Sequence, residues 1–152
     1  MCVTIRKYRG LKMLMSKQYL QGYENLLEIV KQKTDRYETL KCEYETIGFN
    51  SSNGEHVQTS LNPDRFTDLL IKVTEAEKDL KKAKLDLIHF EQTARNRINE
   101  LSNDLHKKVL ILKYLKLFSF NKIANKLNVS VRYVHVMHKK ALIQFDNLFF
   151  NL

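Results

Sequence analysis

Arg132, His135 and Lys139, flanked by Val131, Tyr133, Val136 and Lys140, are spaced to share the outer face of one short helix. Their chemistry suits a nucleic acid. An arginine in a first helical turn can hold a guanine edge through paired hydrogen bonds, adding about 1–3 kcal/mol of discrimination. Val131, Arg132, Tyr133, His135 and Val136 are therefore the candidates for base contact in a major groove. Lys122, Lys126, Ser130, Lys139 and Lys140 are better suited to phosphate oxygens, which set register without reading sequence. For Arg132 a phosphate contact is the plain alternative, and for each lysine a solvated side chain.

The segment that must position these residues is Phe120 to Lys139, FNKIANKLNVSVRYVHVMHK. Its apolar residues fall where a helix-turn-helix needs them. Ile123, Ala124 and Leu127 share the inward face of a first helix, and Val129, Val134 and Met137 supply the matching face beyond a turn. Ala124 is the small residue that lets the second helix cross the first at close range. Asn128 stands at the turn position that favours a left-handed backbone, which Asn tolerates better than most residues. Ser119 and Ser130 each precede a predicted helix as N-caps. Two ordinary core helices joined by a turn would show similar spacing, and charge weighs against that reading.

The 152 residues carry 26 Lys plus Arg against 17 Asp plus Glu, a formal +9 at pH 7. The excess lies at one end: from Asp104 onward nine basic side chains (107, 108, 113, 116, 122, 126, 132, 139, 140) face only Asp104 and Asp146. A polyanion is the natural partner. The stretch VLILKYLKLFSF, Val109 to Phe120, is amphipathic enough to lie on an anionic membrane. Its apolar face is better used as the scaffold helix that covers a helix-turn-helix.

The stretch Val109 to Leu142 resembles sigma-70 region 4, which reads promoter elements and docks on RNA polymerase. More closely, the chain resembles small regulators from phages and prophages of low-GC Gram-positive bacteria, in which a helical N-terminal half precedes a sigma-like domain. Val57-Gln58-Thr59-Ser60, Asn62-Pro63-Asp64-Arg65 and the ending His138-Lys139-Lys140-Ala141-Leu142 also carry the likeness, which spans about Ser16 to Leu142. Late-transcription regulators of the ArpU and RinA kind share the sigma-like ending, so the resemblance implies transcription control. Two residues depart from the pattern. Lys122 stands where an acidic residue is usual, altering local charge, and Asn128 replaces the usual glycine.

Upstream, Tyr19, Tyr23, Leu26, Val30, Lys33, Tyr37, Leu40, Tyr44 and Ile47 recur at spacings of four and three, a heptad seam with one polar member. A second helix start is marked by Asn62-Pro63-Asp64. Its seam runs Phe66, Leu69, Val73, Ala76, Leu80, Ala83, Leu87, Phe90 and Ala94, then shifts to Ile98, Leu101 and Leu105 as a stutter would. Two helices of roughly 45–60 Å, at 1.5 Å per residue, would lie antiparallel about a Ser- and Asn-rich loop. The expected architecture is all-α: a basic extension over 1–15, with a disordered arm as one reading of it, a long coiled-coil-like hairpin over 16–102 with its loop near 48–62, and a helix-turn-helix domain over 103–152. Two helices offer a thin core, so a homodimer through the hairpin is expected, placing two reading helices on a split site.

Cys2 and Cys42 form no CxxC pair, and the five His (56, 89, 106, 135, 138) form no cluster with thiols or carboxylates, so no metal and no cofactor are expected. No residue set forms a recognisable catalytic motif, so an enzyme with a small-molecule substrate is the least favoured class. The N-terminus MCVTIRKYRGLKML is not a convincing secretory signal, and no transmembrane run exists. The expected partners are double-stranded DNA and, through the resemblance, host RNA polymerase, in the bacterial cytoplasm and away from membrane. A phage small terminase subunit that recognises a packaging site is the first alternative, though those proteins usually place the DNA-binding part first. A coiled-coil adaptor is the second.

Overall fold

The structure, a computed structural model, describes the backbone of residues 2–50 and 63–150 and the side chains of 15–47 and 64–150. The described residues are all-helical: α1 Cys2–Asn50, α2 Pro63–Asn99, α3 Asp104–Leu110, a π-helical turn Ile111–Leu115, α4 Phe120–Leu127 and α5 Val131–Phe149. The expected loop tip with Val57 to Ser60, and the cap Asn62, lie outside the described residues. α1 is longer than the heptad pattern implies, because its 49 residues run back through the segment set apart as an extension. That segment holds no helix-breaking proline, so nothing local stops the helix before Cys2.

Contacts divide the chain into two units that do not follow its order: residues 26–87 form one, and residues 1–25 with 88–152 the other. In the first, α1 and α2 run antiparallel. Lys33 pairs with Asp79 at 2.6 Å, Glu43 with Arg65 at 3.9 Å, and Tyr44 stacks on Phe66 with ring centroids 4.8 Å apart. The polar seam member Lys33 is thus satisfied across the pair, and its ammonium holds the Asp79 carboxyl below the ordinary carboxylate range. Leu69, Ala76, Leu80 and Ala83 are buried, whereas Leu26, Val30, Tyr37, Leu40 and Ile47 are half-buried, as a two-helix layer allows.

The second unit gathers both ends of the chain. Tyr19 of α1 lies between Phe90 of α2 and Phe145 of α5, at 5.2 and 6.0 Å between centroids, and Arg97 sits 4.8 Å above its ring. Gly22 lets α1 approach: a Cβ there would meet the Phe90 ring at 3.1 Å. Ser16 donates from Oγ and from its backbone N–H to Oδ1 of buried Asp146. Asp146 Oδ2 is buried without a hydrogen-bond partner among the described residues.

The seam of α2 does not continue through a stutter to Leu105. α2 ends at Asn99, and α3 starts afresh with Asn103 as its N-cap, accepting from the N–H groups of Leu105 and His106 at 2.9 and 3.4 Å. Leu101 is buried in the intervening turn, while Leu105 is 38% exposed. A cap five residues beyond Ile98, Asn103, wins over the heptad because it satisfies two orphan donors.

Candidate nucleic-acid interface

α3 runs directly into the π turn, where Lys116 donates to Ile111 and Phe118 to Leu112, at 3.0 and 2.9 Å. Leu117 closes it with a left-handed backbone, φ 54°. Val109 and Leu112 then form one cluster with Ile123, Ala124, Val134 and Met137, all buried, against which Leu127, Val129, Phe118 and Phe120 pack half-buried. The six residues read as an inner face from the sequence therefore lie together, four buried and two at the margin. α4 and α5 pack on one another through this cluster.

The turn between them is closed by local bonds. Asn128 is left-handed at φ 53°, its N–H donates to Asn125 at 3.4 Å, and Val129 donates to Ala124 at 3.1 Å, the paired bonds of a Schellman cap. Ser119 Oγ accepts from the Lys122 N–H at 3.3 Å, and Ser130 Oγ from the Tyr133 N–H at 3.2 Å. Ser130 still has its hydroxyl hydrogen to offer a phosphate.

Val131, Arg132, Tyr133, His135, Val136, Lys139 and Lys140 are all exposed on α5, and Lys122 and Lys126 on α4. None of these five cations is in an ion pair among the described residues; the local ion pair is Asp104 with Lys107 at 3.2 Å. Asp146 is buried and Asp104 pairs with Lys107, so neither carboxylate from Asp104 onward among the described residues pairs with them.

The structure also places aromatic rings under the lysines, which the sequence reading did not anticipate. Lys122 and Lys126 sit 4.1 and 5.4 Å from the Phe118 centroid, and Lys113 sits 4.9 Å from that of Phe120. Such ring faces hold a flexible ammonium near one position without neutralising it. The signal was available: the run Lys113 to Lys126 interleaves four lysines with Phe118 and Phe120.

His135 and His138 differ in role despite sharing α5. His135 is exposed and lies tilted against Phe120 with ring centroids 4.2 Å apart. His138 is half-buried, with Nε2 3.0 Å from the Tyr114 hydroxyl of the π turn. Burial, with Lys113, His135 and Lys17 nearby, pushes His138 down to about 4, and burial pushes Tyr114 up to about 12. Both are neutral near pH 7, so the bond joins two uncharged groups, and the imidazole tautomer sets which of them donates. On the far side of α5, Gln144 accepts from His106 Nδ1 at 2.8 Å and donates to Ser102 Oγ at 2.6 Å.

No helix of the described residues is long and apolar enough to cross a membrane. No family model, no curated protein and no solved structure matches this chain.

Proposed function

We propose that this chain is a sequence-specific, double-stranded DNA-binding transcriptional regulator, phage or prophage encoded, with α4 and α5 as a sigma region 4-like helix-turn-helix. α1 and α2 serve as a long antiparallel hairpin that dimerises the protein in the bacterial cytoplasm. One observation carries the reading: Lys122, Lys126, Arg132, Lys139 and Lys140 are exposed and unneutralised on two short helices joined by a capped, left-handed turn. α5 enters the major groove through its first three turns, with Arg132 against base edges, while the lysines grip phosphates on either side. Host RNA polymerase is the proposed second partner.

The test is selection from a random duplex library at physiological salt, followed by a salt titration on the bound pool. Four lysines neutralising phosphates give a log affinity falling with log salt at a slope of about −3.6 for each DNA-binding domain engaged. Arg132→Ala relaxes sequence preference, whereas Lys139→Ala weakens all duplexes alike. A flat salt response, or no enriched sequence, overturns the proposal.

A further inference from the structure

The outer face of α5 is apolar at positions where a solvated helix is ordinarily polar. Val131, Tyr133 and Val136 are 36%, 41% and 45% exposed. Positions four apart make two neighbouring rows, Val131–His135–Lys139 and Arg132–Val136–Lys140. A β-branched side chain is stiff at χ1 and lowers helix propensity, so valine on this face weakens the helix and returns little packing. Such a breach of local preference is expected where a surface is kept for contact.

The surrounding charge says what covers it. Arg132, Lys139 and Lys140 stand within a turn of Val136 without acidic partners, so a second copy of this face would set like charges against one another. The complementary surface is polyanionic and carries isolated apolar groups within reach of a helix. The DNA major groove has that character, its apolar group being the 5-methyl of thymine. Double-stranded RNA does not, because its deep, narrow major groove excludes side chains.

We infer that Val136, with Val131 five residues before it at the N-terminal edge of the same outer half of α5, is a specificity-determining residue that packs against thymine 5-methyl groups. The inference rests on the proposed DNA-binding reading. Val136 lies one turn from Arg132, about 6 Å along the axis at 1.5 Å per residue, or roughly two base-pair steps of 3.4 Å. The bound sequence therefore carries thymine within about two base pairs of the guanine that Arg132 holds.

The experiment starts from the duplex enriched by selection and replaces each thymine in turn with deoxyuridine, which removes only the methyl. Affinity is read by fluorescence anisotropy. One or two positions lose about four-fold each, the ratio expected for one buried methyl-sized group, and the rest are unchanged. Val136→Ala, which raises helix propensity and leaves the core untouched, weakens binding and removes the difference between thymine and deoxyuridine at one of those positions. Equal binding of thymine and deoxyuridine throughout an enriched site overturns the inference and leaves DNA binding standing. Absence of any enriched duplex overturns both.

Discussion

Acidification from pH 7 to 4.5 should remove stability through His138. Its folded value is depressed from 6.5 to about 4, first by burial and then by Lys113, His135 and Lys17. For a base the sign follows directly. Above 6.5 neither folded nor unfolded chain carries the proton and the group contributes no pH dependence. As pH falls through 6.5 the unfolded chain takes up a proton that the folded one refuses until about 4. At about 1.36 kcal/mol per pH unit the ceiling is near 3 kcal/mol. The ring is only half-buried, so screening by solvent reduces this to about 1–2 kcal/mol. The assay is urea unfolding at pH 7 and 4.5 for the natural chain and for His138→Gln, whose side chain does not titrate. Carboxylates and the other histidines contribute equally to both proteins and cancel in the comparison. The variant should start about 1 kcal/mol less stable at pH 7 and lose about 1–2 kcal/mol less on acidification. Identical losses in the two proteins would refute the reasoning.

Leu117→Gly should stabilise the chain by about 0.5–1 kcal/mol, because a non-glycine residue at φ 54° costs about 1–2 kcal/mol and the side chain is 44% exposed. A thermal melt would show a rise of about 1–4 °C, and no rise would mean that the leucine packs better than its exposure implies. Ala124→Leu inserts three carbons into a site buried against Ile123, Val134 and Met137, at a cost of about 1–3 kcal/mol. Duplex binding should fall further than stability does, since α5 is pushed off α4; binding retained at full strength would count against this pair as the interface. Ser16→Ala leaves buried Asp146 with only the Ser16 backbone N–H, at a cost of about 1–2 kcal/mol in urea unfolding. A change below about 0.5 kcal/mol would show that the carboxylate is satisfied some other way.

Where a feature depends on neighbours a few residues away, its outline is present in the sequence. Ser119, Asn128 and Ser130 act within five residues of themselves, and the amide bonds they organise are those that such residue types make in short turns. The first seam is legible for the same reason: each of its nine positions from Tyr19 to Ile47 is buried or half-buried, Lys33 included. Features that depend on distant residues are not legible. Asp146 is an exposed-type residue near the end of an amphipathic helix, and only Ser16, 130 positions away, explains its burial. The π turn is hidden because five residues are too few to separate its period from an α-helix, and Leu117 carries none of the signals that Gly or Asn would give for a left-handed position. At the site, exposure of the basic residues follows from the inner-face pattern. The Tyr114–His138 bond and the rings beneath Lys113, Lys122 and Lys126 depend on how the π turn aims its side chains.

That long-range packing bears on how the proposed reading helix works. α5 has 19 residues, and only its first half presents an exposed outer row; Ala141, Leu142, Phe145 and Asp146 in its second half are buried. The side chains that cover this back half include Tyr19 and Ser16 of α1, so the segment read from sequence as a DNA-binding domain over 103–152 lacks part of its own cover. Its front is held by the shared cluster with α4, through Val134 and Met137, and its middle by Tyr114 on His138. A helix fixed at three levels has little rotational freedom left to lose when it meets a groove. Less of the contact energy is then consumed in ordering, and a small set of exposed residues can discriminate between sequences. The same anchoring puts Ser16 in one contact unit with α5, so a destabilising change at Ser16 should reach Arg132, on the proposed reading surface, through α5 itself.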